Sequence, residues 1–73
     1  MNDNLLNQLK DQTVLQLKNR RTALNLTQQQ LAEKCGYQRE TIARIEAGKF
    51  FISTKQLYII ADALGLDINL MPK

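Results

Sequence analysis

Three hydroxyl residues, each followed three positions later by glutamine, constrain this 73-residue chain more than any other feature. They are Thr13-x-x-Gln16, Thr27-x-x-Gln30 and Ser53-x-x-Gln56. In such a pair the hydroxyl accepts from the third backbone N–H of a helix. The glutamine reaches back to the N–H of the capping residue, so two orphan donors are satisfied together. Gly36, Gly48 and Gly65 supply matching stop signals, because a helix commonly ends on a residue in the left-handed conformation. The only proline is Pro72, and no Pro/Gly linker, internal repeat or low-complexity run interrupts the chain. Starts and stops this closely spaced cut the sequence into short helices and predict one small all-α domain.

Apolar spacing fills in the segments. The first box predicts a helix from Thr13 to about Leu24, with Val14, Leu17 and Leu24 on one face and Arg21 between them. The second opens a short helix before Gly36, with Leu31, Ala32 and Cys35 inward. The third opens a helix to about Leu64, where Leu57, Ile60, Ala61 and Leu64 follow the i, i+3, i+4, i+7 pattern. Between them, Arg39–Ala47 runs to Gly48. At about 100° per residue, Ile42 and Ile45 share its inner side, while Arg39, Glu40, Ala43, Arg44 and Ala47 share the outer. Leu5, Leu6 and Leu9 make Asn4–Lys10 a short helix or a continuation of the first. Leu66–Met71 alternates apolar and polar, the pattern of a strand. No other segment reads as a strand, and lone strands leave backbone groups unpaired, so its expected partner is the same segment of a second copy.

Composition removes several functions. Histidine is absent and Cys35 is the only cysteine, which leaves no intrachain disulfide, no common zinc-ligand set and no Cys–His or Ser–His nucleophile pair. The carboxylates (Asp3, Asp11, Glu33, Glu40, Glu46, Asp62 and Asp67) fall at no spacing that builds a paired acid/base site. No catalytic residue, metal, cofactor or small-molecule substrate is therefore expected, and the chain is not read as an enzyme. The apolar runs are too short to span a bilayer, and the N-terminus lacks the pattern of a secretory signal. An intracellular protein, cytoplasmic and bacterial, is the expectation. A net charge of +3 is a weak pointer to nucleic acid by itself; the placement of the charges matters more.

From Arg21-Thr-Ala-Leu-Asn-Leu-Thr-Gln-Gln-Gln-Leu-Ala-Glu-Lys-Cys-Gly36 through Ile42 and Ile45-Glu46-Ala47-Gly48, the chain resembles the phage-repressor/Cro type of helix-turn-helix domain. It is similar also to the Xre-type regulators and to the HigA- or HipB-like antitoxins, and the resemblance covers about Thr13–Leu66. It implies a lambda-repressor-like bundle of four or five short helices with a short C-terminal strand. Each shared position has a physical reason. Ala32 is small where two helices cross closely, Gly36 turns the chain between them, and Leu31, Ile42 and Ile45 hold the crossing angle from within. That angle projects the second helix into a major groove. Residues 1–12 then form an N-terminal helical extension, 13–65 the DNA-binding domain and 66–73 a dimerisation element.

The resemblance implies DNA contacts at Gln28, Gln38, Arg39, Glu40, Thr41, Arg44 and Lys49. Gln28 corresponds to a residue touching phosphate and a neighbouring base edge, and Lys49 to a phosphate-contacting lysine. Arg21 and Glu46 correspond to a structural ion pair. Two positions depart from the family pattern. Gln38 stands where Ser or Thr often caps the recognition helix, and Phe50-Phe51-Ile52 stands where many relatives have a polar residue and a proline. Read without the resemblance, Arg39 and Arg44 are equally two solvated arginines on an outer helix face. Cys35 reads as a small apolar core residue. The implied function is a transcriptional repressor, binding double-stranded DNA sequence-specifically as a homodimer on an inverted repeat. Two alternatives stay open: an antitoxin that binds a toxin and regulates its own operon, and a helical interaction module without DNA binding.

Overall fold

The computed structural model describes residues 1–72 and is all-helical among them. Its elements are α1 (Asp3–Ala23), α2 (Gln28–Cys35), α3 (Arg39–Glu46) and α4 (Thr54–Ala63).

The second and third capping boxes form as predicted. Thr27 Oγ1 accepts from Gln30 N at 3.0 Å while Gln30 Oε1 accepts from Thr27 N at 2.8 Å. At α4, Ser53 Oγ accepts from Gln56 N at 3.0 Å and Gln56 Oε1 from Ser53 N at 3.1 Å. The first box does not form. Nothing between Lys10 and Thr13 breaks a helix, so α1 runs uninterrupted for 21 residues, starting at an Asn2 cap whose side chain accepts from Leu5 N at 2.8 Å. Thr13 lies inside it, and its hydroxyl donates back to Leu9 O at 3.0 Å. Residues 4–10 are thus a continuation of the first helix, which at about 1.5 Å per residue nearly matches the longest molecular dimension of 35 Å.

Gly36 ends α2 at φ +74°, and Tyr37 N then donates to Ala32 O at 2.9 Å, closing the helix end. The end of α1 uses Asn25 in the same way, at φ +59°, with Leu26 N donating to Arg21 O at 3.1 Å. This turn explains one departure from the expected core. Leu24 sits at the helix end and is 40% exposed, and Leu26 beyond the turn packs against the core instead.

The core is one cluster of Leu17, Leu31, Ala32, Ile42, Ile45, Ile60 and Leu64, drawn from all four helices. Each large side chain buried there contributes about 1.5–3 kcal/mol. Ala32 has no exposed surface, as required where α2 crosses its neighbours. Cys35 and Leu57 pack at the margin, and burial pushes the Cys35 thiol above its ordinary value.

The predicted C-terminal strand is absent. Leu66 packs against the core, but residues 67–72 form no secondary structure, and Leu70 is 92% exposed. A strand exists only by pairing, and the described residues of this chain offer no second extended segment to pair with. Position 73, the end of that predicted element, lies outside the described residues. No helix among the described residues is long and apolar enough to cross a membrane.

Candidate nucleic-acid interface

The α2–turn–α3 unit is held by burial on one side and by a polar clamp at its end. Ile42 and Ile45 are inserted in the core, which fixes the rotation of α3 about its own axis. The opposite side then faces solvent by geometry, and Arg39, Glu40, Arg44 and Ala47 are exposed there. Thr41 and Ala43 lie half-buried on the two flanks. Lys49 is exposed just beyond Gly48, which turns the chain at φ +70°.

Gln38 precedes α3 in extended backbone (φ −78°, ψ 150°), and its side chain makes no capping bond. Its carbonyl still accepts from Thr41 N at 3.0 Å. A glutamine side chain is one methylene longer than the Asn that caps well, and the exposed Gln38 amide is free to meet a ligand. Glu40 and Arg39 form only a loose exposed pair at 3.9 Å. Such a pair contributes little and holds neither side chain in place.

The clamp is Arg21 with Glu46. Arg21 Nε donates to Glu46 Oε2 at 2.7 Å, and Arg21 Nη2 to Glu46 Oε1 at 2.9 Å, a two-bond planar match. Both side chains are nearly dry, at 10% and 5% exposure. Arg21 Nη1 also donates to Leu26 O at 2.7 Å, so the last turn of α1, the α1–α2 connection and the last turn of α3 meet at one guanidinium. Among the described residues, no buried side-chain N or O lacks a partner. With Glu46 paired to Arg21, α3 and its exit carry exposed Arg39, Arg44 and Lys49 beside exposed Glu40, and Asp11 of α1 lies near Gly48.

The structure thus brings Gln38, Arg39, Glu40, Thr41 and Arg44 onto one helix and its entry, with Lys49 at its exit. Gln28 is placed differently from a free contact residue. It is half-buried at the start of α2, and its Nε2 donates to Glu46 Oε1 at 3.1 Å. This bond joins residues 18 apart in sequence and leaves no trace in helix periodicity. Nor does the bond from Arg20 Nε to Leu64 O at 2.9 Å, which ties α1 to the end of α4. For the Arg20 bond the sequence signal was the presence of basic residues in the last turn of α1, where helix ends favour cations, and the Gln28 bond had none.

No group of three or more His, Cys, Asp or Glu among the described residues could hold a metal ion. What remains is a rigidly mounted, net-basic helix face beside a second helix that starts next to it. This is the arrangement by which helix-turn-helix proteins present a recognition helix. Residues 17–71 match the family model described as Helix-turn-helix, and the chain belongs to that family. Over 53 residues, 73% of its length, it is 45% identical to an uncharacterized HTH-type transcriptional regulator of Methanocaldococcus jannaschii, of which it covers 80%. It is 44% identical, again over 53 residues, to an uncharacterized HTH-type transcriptional regulator of Archaeoglobus fulgidus, of which it covers 75%. Both relatives are archaeal, which lends no support to the expectation of a bacterial source.

Proposed function

We propose that this chain is a transcriptional repressor that reads duplex DNA with α3 and acts as a homodimer on an inverted repeat. The observation that carries the reading is the fixed presentation of Arg39 and Arg44 by the buried pair Ile42 and Ile45. An arginine held at this position can donate two bonds to guanine O6 and N7, worth about 1–3 kcal/mol of discrimination. Lys49 acts differently, through counterion release at the phosphate backbone, which adds affinity without sequence preference. Gln38 and Thr41 supply neutral donors and acceptors at the entry of the helix, and Glu40 suits the amino group of cytosine.

Dimerisation follows from the geometry of the target. Two α3 helices related by a two-fold axis would enter successive major grooves about 34 Å apart, which doubles the site length a single short helix can read. The exposed Ile68, Leu70 and Met71 of the C-terminal segment are the apolar surface that pairing with a second copy would cover.

The test is selection of bound duplexes from random sequence, followed by binding titrations of two variants. Arg44→Ala should relax the preference at one base-pair position of the selected site. Lys49→Ala should weaken selected and random DNA alike and lower the salt dependence by about one phosphate contact. A selection that enriches nothing refutes sequence-specific binding, and one that enriches sites without two-fold symmetry refutes the inverted-repeat homodimer.

A further inference from the structure

Glu46 has a nearly dry side chain, at 5% exposure, and is paired with Arg21. Yet its Oε1 accepts two bonds, from Arg21 Nη2 at 2.9 Å and from Gln28 Nε2 at 3.1 Å. The second bond is not what holds the carboxylate. The carboxylate is already doubly held by Arg21, and Gln28 is a half-buried residue that could satisfy its amide with water. What the bond does accomplish is orientation. An ionised carboxylate only accepts, so the NH2 end of the amide must face Glu46 and the carbonyl end must face away. Among the described residues, one Nε2 hydrogen and Oε1 are left without a protein partner. They sit at the first residue of α2, the position that the helix-turn-helix resemblance sets against the DNA backbone and an adjacent base edge.

Resting on that reading, we infer that Glu46 is a positioning residue for DNA binding, acting through Gln28 without touching DNA. The Arg21–Glu46 pair locks the end of α3 to α1. The Gln28 bond extends the lock to the first turn of α2 and fixes which end of the amide DNA meets. A glutamine free to rotate loses the freedom of its side-chain torsions on binding; one already tied does not. The contact made by Gln28 therefore depends on the acceptor behind it. Replacing Glu46 removes part of what Gln28 contributes to binding, and replacing both costs less than the two single losses combined.

A double-mutant cycle on DNA binding tests this, using Gln28→Met, which keeps the side-chain length without the amide, and Glu46→Met, which keeps the length and removes the acceptor. The duplex is the site selected with the unaltered protein. With Glu46 present, Gln28→Met should weaken binding roughly tenfold, equivalent to one good hydrogen bond to a charged partner. In the Glu46→Met background the same change should cost at most about threefold. Equal losses in both backgrounds overturn the inference and leave Gln28 as an independent contact. No loss in either background, with Arg44→Ala still impairing binding, overturns it too. Failure of the parent protein to bind any duplex would be distinguishable, because it removes the DNA reading itself.

A second measurement needs neither DNA nor a folded Glu46 variant. In the ¹⁵N spectrum of the unaltered protein, one Gln28 side-chain NH2 proton should lie downfield and exchange slowly, relative to those of the exposed Gln16. Gln28 protons indistinguishable from those of Gln16 would show the tie to be absent in solution and would overturn the inference as well.

Discussion

Glu46→Ala is the substitution for which the structure gives the firmest magnitude. Removing the carboxylate leaves the Arg21 guanidinium at 10% exposure with only Leu26 O as a partner, and strips Gln28 of its acceptor. Breaking a buried pair from one side costs about 3–5 kcal/mol, because the remaining charge is desolvated without compensation. Domains are stable by roughly 0.05–0.15 kcal/mol per residue, about 4–11 kcal/mol for a chain of this length. The substitution therefore consumes a large part of the total stability, and the thermal midpoint should fall by about 4–8 °C for each kcal/mol lost. Urea denaturation followed by circular dichroism measures the loss directly, with an unchanged slope showing that the same surface unfolds. A companion variant, Arg21→Met with Glu46→Leu, removes both charges and should recover most of the loss. It would stop short of full recovery because Leu26 O forfeits its donor. A loss under about 1 kcal/mol for Glu46→Ala would mean that the pair is effectively solvated, and a double variant no better than the single would place the damage in packing. Either result refutes the electrostatic account of the clamp.

Ala32→Leu adds bulk at a residue with no exposed surface and should cost about 1–3 kcal/mol or more by overpacking. A fully stable variant would contradict the close crossing of α2. Gly36→Ala tests conformation apart from space, since a Cβ there meets nothing within 4 Å while φ is +74°. It should cost about 1–2 kcal/mol from the left-handed backbone alone, and Gly36→Asn less, as read from denaturation midpoints. Deleting residues 67–73 should shift sedimentation toward monomer if that segment joins two copies, and an unchanged profile would place the dimer contact elsewhere. For Cys35, burial raises the folded-state value above the unfolded one. The associated stability is thus present below the unfolded value and lost as pH rises through the folded one. The unaltered protein should lose more stability than Cys35→Ala on going to alkaline pH, and parallel pH profiles would argue against that burial effect.

Much of this protein was legible because its signals are local. Each box and glycine acts within one helical turn, so Thr27, Ser53 and Gly36 predicted the limits of α2 and α4 without reference to any distant residue. The apolar spacing placed Leu31, Ala32, Ile42 and Ile45 in the core for the same reason: a helix converts sequence period into a face. The misreadings came where a local signal competes with its surroundings. Thr13 carries a start signal, but a capping residue is used only if the preceding chain leaves the helix, and Gln8 through Gln12 give it no cause to. Leu24 fitted the inward period, but the helix ends at Ala23 through a left-handed Asn25, and no glycine announces that turn.

The candidate interface divides along the same line. The sequence by itself determined that Arg39, Glu40 and Arg44 share the side of α3 opposite Ile42 and Ile45, since that follows from helix geometry alone. The close meeting of α2 with its neighbour at Ala32 was implied by the family resemblance, and the structure leaves Ala32 with no exposed surface. How the ends of these helices are fastened came from packing, apart from the Arg21–Glu46 pair, which the family resemblance implied. The bonds from Arg21 to Glu46 and from Gln28 to Glu46 join side chains 25 and 18 positions apart, and the bond from Arg20 joins a side chain to a backbone carbonyl 44 positions away. Periodicity carries no information about such pairs, because two residues become neighbours across helices only once the packing has set the distance and direction between them. The predicted strand at Leu66–Met71 lies one level further out: its hydrogen bonds need a second extended segment, which the described residues of the folded chain do not provide.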